Sequence, residues 1–77
     1  MNLNNLNKLI ADILSYSESE INDDSKLEDI PNWDSMNHMI LITKIEEKYD
    51  VLFTGDEIIE MVDIKSFKYF LKNKGIN

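Results

Sequence analysis

Seventy-seven residues, 43% hydrophobic and 30% charged, suffice for one domain with one core, near the size below which a core without disulfides is only marginally stable. Fifteen acidic residues against eight lysines leave a net charge of −7, a field that repels nucleic acid and anionic membrane and attracts basic protein surfaces. With no cysteine, a disulfide and a thiolate metal site are excluded, and any reactive thiol must be imported.

The opening Met1-Asn2-Leu3-Asn4-Asn5 has neither the basic region nor the apolar run of a secretory signal. No window approaches the roughly 18 consecutive apolar residues of a membrane span, so no span is expected and the expected setting is cytoplasmic. Leu3, Leu6, Leu9, Ile10, Ile13 and Leu14 recur at three- and four-residue steps and predict a first helix from Leu3 to Leu14, with Asn4, Asn5, Lys8 and Asp12 outside. The pattern ends before two heptads are complete, too soon for a coiled coil.

From Ser15 to Trp33 periodicity disappears, and Ser, Asp, Asn, Glu and the single proline gather. A long ordered loop is expected here, with Ile21, Leu27, Ile30 and Trp33 as apolar anchors and a short helical turn inside it. The run Asn22-Asp23-Asp24-Ser25 invites a calcium reading, but an EF-hand loop needs a glycine at its sharp turn and none precedes Gly55. A solvated acidic loop is the better reading, and no metal site is expected.

Asp34 and Ser35 are both good N-cap residues, and behind them a second helix is predicted from Ser35 to Tyr49. It carries two apolar stripes. Leu41, Ile42, Ile45 and Tyr49 suit a core; Met36, Met39, Ile40 and Thr43 lie displaced around the axis and lead toward Glu47. One stripe is expected to remain partly exposed; the alternative is that a small bundle buries both. Ser35, in the opening turn, is either a simple cap or a place where an attached anion meets free helix N–H groups and the positive end of the dipole.

Thr54-Gly55-Asp56-Glu57 fits a capping box, so a short helix is expected to begin near Gly55 with Ile58, Ile59 and Met61 as its buried contacts. Asp63 is placed to cap a last helix in which Ile64, Phe67, Phe70 and Leu71 face inward and Lys65, Lys68, Lys72 and Lys74 outward. Tyr69 fits either side. Lysines near its end complement the dipole, and Gly75 is its natural stop.

His38, the single histidine, stands three residues after Ser35 and imitates a nucleophile and base. A capped serine points back at the helix amides, and no glycine-rich oxyanion loop accompanies it. A solvated or partner-facing histidine is therefore expected. Glu46, Glu47 and Asp50 read as a solvated, partner-attracting face, since nothing in the pattern desolvates a catalytic carboxylate pair there.

Asp34-Ser35-Met36, opening an acidic helix in a short acidic chain, resembles the Asp-Ser-Leu motif of acyl carrier proteins, whose serine carries phosphopantetheine. The resemblance covers nearly the whole chain: an apolar helix from Leu3 to Leu14, a loop with the step Leu27-Glu28-Asp29-Ile30, the serine helix from Ser35 to Tyr49 with Glu46-Glu47, a short helix from Glu57 to Met61, and a final apolar helix from Ile64 to Leu71. It implies an all-α, four-helix carrier domain over residues 1–77, with three longer helices, one short one and a long loop between the first two.

The resemblance further implies a monomeric, cytoplasmic, bacterial protein, itself no enzyme, of fatty acid or polyketide biosynthesis. A phosphopantetheinyl transferase would move the arm from coenzyme A to Ser35, within Asp34-Ser35-Met36, and the arm would carry acyl cargo as a thioester to loading and transfer enzymes with basic docking surfaces. Met39, Ile40, Thr43, Glu46 and Glu47 would form the partner face.

The departures from the family pattern are specific: Met36 for leucine, Asn37 where an acid is typical, and Ile40 where carriers of fatty-acid synthesis usually have glutamate. With Trp33 and Asn37-His38 they look more like dedicated carriers of polysaccharide-modifying or secondary-metabolite pathways. An aminoacyl or peptidyl carrier with the same arm is the alternative within the family. An unmodified acidic adaptor for protein–protein interaction is the alternative outside it.

Overall fold

The structure, a computed structural model, describes residues 3–76. Four α-helices occur among them: α1 (Leu6–Leu14), α2 (Ser35–Tyr49), α3 (Gly55–Glu60) and α4 (Ile64–Asn73), an all-α small bundle. Each longer helix buries one stripe, namely Leu6, Ile10, Ala11 and Leu14 of α1, Leu41, Ile42, Ile45 and Tyr49 of α2, and Ile64, Phe67 and Leu71 of α4. These meet Ile21, Leu27, Ile30, Phe53, Met61 and Ile76 in one hydrophobic core.

The helix ends follow local chemistry. Asp34 caps α2 by accepting from Asn37 N–H at 2.7 Å. Thr54 and Glu57 form a reciprocal capping box at α3, and Asp63 and Ser66 form another at α4. Ser15 and Asp50 close α1 and α2 in the left-handed conformation, with φ of 53° and 54°, and Gly75 beyond α4 has φ 92°.

The loop between α1 and α2 contains two short 3-10 turns, Glu18–Glu20 and Leu27–Asp29, and buries Ile21, Leu27 and Ile30 as expected. A loop this long holds its shape because its backbone is tied to the α3–α4 junction. Leu27 N–H donates to Val62 O, Ile64 N–H to Ser25 O and Lys65 N–H to Asp23 O, each at 3.0 Å. Asn32 Nδ2 closes the other side on Leu14 O at 2.8 Å. The acidic run is an interlock: Asp23 pairs with Lys68 and Asp24 with Lys65. Lys68 holds the Asp23 carboxyl below its ordinary value, first by hydrogen bonding and then by charge.

Several expectations are corrected. Leu3 lies before the first helix, because Asn4-Asn5 favours a turn, and Leu6 N–H bonds Leu3 O at 3.1 Å. Ile59 is 75% exposed rather than buried, since α3 turns Ile58 and Met61 inward and Ile59 falls about 100° away from Ile58. Phe70 faces inward and packs against the core as expected, but only half-buried, with its ring edge-on to exposed Tyr69. Lys68 and Lys74 are half-buried and engaged, not free outward charges.

Candidate functional site at the start of α2

Ser35 is the first residue of α2 and is exposed. The capping role falls to Asp34, contrary to the expectation that the serine turns back on the helix amides. Asp34 has the extended backbone of a cap, φ −152° and ψ −178°, and its carboxylate takes Asn37 N–H. The Ser35 hydroxyl therefore makes no hydrogen bond among the described residues. The first intrahelical-type bond here is His38 N–H to Asp34 O at 2.8 Å, so the N–H groups of Ser35 and Met36 have no carbonyl of a preceding turn to donate to.

The segment leading to Ser35 is held from several sides. Asn37 Nδ2 donates to Asn32 O at 2.7 Å, so one asparagine binds the cap with its backbone and the approach with its side chain. Trp33, half-buried, points its indole N–H at His38 Nδ1, 3.1 Å away. His38 is half-buried between Trp33 and Phe67, with Nε2 3.1 Å from the Ile58 carbonyl at α3. This overturns the solvated or partner-facing histidine, because an imidazole flanked by two rings and bonded at both nitrogens is a piece of the scaffold.

Beside Ser35 the second stripe of α2 stays open to solvent. Met36 is 74% exposed, Met39 49% and Ile40 42%, and with Thr43 and Lys44 they line a shallow apolar groove that starts at the serine. Thr43 Oγ1 donates to Met39 O at 2.9 Å, so its hydroxyl is satisfied within the helix. Of the two reading alternatives for this stripe, exposure is the one observed.

The two glutamates further along α2 separate. Glu47 is exposed, with a loose contact to Lys44 at 3.9 Å, where an ion pair contributes little. Glu46 is half-buried and accepts Phe53 N–H at 2.9 Å, fastening the loop after α2. The sequence reading that set both glutamates on a solvated face therefore holds for Glu47 and fails for Glu46, whose carboxylate has a structural bond to keep.

No group of His, Cys, Asp and Glu side chains suited to a metal ion occurs among the described residues. None of their helices is long and apolar enough to cross a membrane. No protein-family model matches the chain, and no curated protein matches it either.

Proposed function

We propose that the chain is a carrier protein whose Ser35 hydroxyl accepts a phosphopantetheine arm from coenzyme A under a phosphopantetheinyl transferase. The observation that carries the reading is the division of labour at the start of α2: Asp34 caps the helix, and the adjacent serine is exposed, its hydroxyl unspent among the described residues. A phosphodiester on that oxygen would sit at the positive end of a 15-residue helix, within reach of the unsatisfied Ser35 and Met36 N–H groups. When bound, the arm supplies the thiol that the cysteine-free chain lacks, for cargo held as a thioester.

In this reading the chain's own residues position and present. Asp34 and Asn37 fix the helix start, and the open stripe of Met36, Met39, Ile40 and Thr43 forms the docking surface for acyl-loading and acyl-transfer enzymes. Methionine suits such a face because it repacks against different partners. The isoleucine at position 40 and the lone outward glutamate at 47 make this face more apolar than that of a general fatty-acid carrier, which supports a dedicated pathway.

Incubation with coenzyme A, magnesium and a broad-specificity transferase is expected to add one arm to the wild type and none to Ser35→Ala, read by intact mass. Ser35→Ala should melt like the wild type, since the cap is Asp34. A wild type left unmodified by several transferases would favour the unmodified adaptor instead.

A further inference from the structure

Both ring nitrogens of His38 are held by groups outside α2: Trp33 Nε1 lies 3.1 Å from Nδ1, and the Ile58 carbonyl lies 3.1 Å from Nε2. An indole N–H only donates and a carbonyl oxygen only accepts. Both contacts are hydrogen bonds in one state alone, the neutral imidazole with bare Nδ1 and protonated Nε2. The other neutral tautomer sets N–H against N–H at Trp33 and lone pair against lone pair at Ile58. The ring is also gripped edge-on by Trp33 at 5.7 Å and Phe67 at 6.2 Å between centroids, so the loop, α3 and α4 all bear on it.

We infer that His38, as the neutral Nε2–H imidazole, is a positioning residue for Ser35. Trp33 lies two residues before the serine and His38 three residues after it, so their bond staples the chain across the reacting position. The Ile58 bond then refers that staple to α3. Ser35 is exposed and its hydroxyl makes no hydrogen bond among the described residues, so the direction in which that hydroxyl is offered is set by this staple together with the Asp34 and Asn37 bonds. The inference rests on the carrier reading above. An enzyme that docks on the groove of Met36, Met39 and Ile40 would still bind once the staple is cut, but would meet a serine held less firmly, and misplacement of a reacting group is felt mainly in turnover.

Two measurements test this. Nitrogen NMR of the wild type is expected to show His38 with one bare and one protonated ring nitrogen and a coupling from the Trp33 indole N–H to Nδ1; an Nδ1–H or doubly protonated ring at neutral pH overturns the inference. In the second, arm transfer to Ser35 is timed for wild type, His38→Phe, Trp33→Phe and His38→Asn. His38→Phe and Trp33→Phe keep a ring and lose the bond between the two side chains. Each is expected to lower kcat about 10-fold with KM little changed. His38→Asn offers an acceptor near the place of Nδ1 and is expected to recover part of the loss. Folded His38→Phe and Trp33→Phe proteins modified at the wild-type rate overturn the inference and leave the carrier reading intact. A wild type that takes no arm overturns the carrier reading and the role of His38 with it. Should His38→Phe not fold, Trp33→Phe and the nitrogen spectrum decide.

Discussion

The Lys74 ammonium stands 3.1 Å from a Glu57 carboxylate oxygen that also accepts Thr54 N–H at 2.8 Å, so the end of α4 is fastened to the capping box of α3. The Glu57 carboxyl is held below its ordinary value, first by the Thr54 backbone bond and then by Lys74. A carboxyl lowered in the folded state contributes stability above its unfolded value, and loses it as pH falls through the folded one. The contribution should be present at neutral pH and disappear as acid carries the solution below the ordinary glutamate range. Glu57→Gln cannot take up that proton. Its urea midpoint should lie below that of the wild type at neutral pH, and the gap should close on acidification.

Ile45 is fully buried on the inner stripe of α2. Ile45→Ala should cost about 2 to 5 kcal/mol by lost transfer energy and the cavity left behind. In a domain of this size that is a large share of the total, so the variant should unfold at markedly lower denaturant. A midpoint equal to that of the wild type would mean that α2 presents another face to the core.

Tyr49 closes the same stripe, but its hydroxyl is buried without a hydrogen-bond partner among the described residues. Burial pushes its ionisation up from the ordinary tyrosine value. An unpaired buried hydroxyl costs its desolvation while the ring still packs, so Tyr49→Phe should leave stability unchanged or raise it by about 1 kcal/mol. A clear loss on thermal melting would show that the hydroxyl has a partner, such as an internal water.

The bundle was legible in the sequence because its information is local: three-and-four spacing in α1, α2 and α4, a capping box at Thr54, a cap at Asp63, and Gly75 at the end. The open stripe of Met36, Met39 and Ile40 was legible as a stripe, but its exposure depended on where α3 and the loop come to lie. The residues missed are polar ones on apolar periodicities. His38 precedes Leu41, Ile42 and Ile45 by three, four and seven residues, so continuing the buried stripe one step toward Ser35 lands on it. Lys74 follows Leu71 by three in the same way. Glu46 was hidden because its partner is a backbone N–H of a loop, which no side-chain pattern announces.

The separation of Glu46 from Glu47 gives the proposed docking surface a clean test. Glu46→Ala removes the acceptor of Phe53 N–H and should cost about 1 kcal/mol of stability. Glu47→Ala breaks only an exposed contact, so the fold should be unaffected. Under the carrier reading it should slow association with basic enzyme surfaces at low salt, and the difference should vanish as salt screens the field. Ile40 is 42% exposed, and glutamate is the better helix former, so Ile40→Glu should change stability by less than about 1 kcal/mol. Under the carrier reading its effect is on docking: a charge in the middle of the apolar groove should weaken productive encounter with a dedicated partner by roughly 10-fold, equivalent to about 1.4 kcal/mol. Enzymes of general fatty-acid synthesis, which usually meet an acid at that place, should tolerate or prefer the variant. Loading and transfer rates, measured beside melting curves, check both halves. If Ile40→Glu leaves every partner's kinetics unchanged while lowering the melting temperature, Ile40 serves the fold and the groove is not a docking surface.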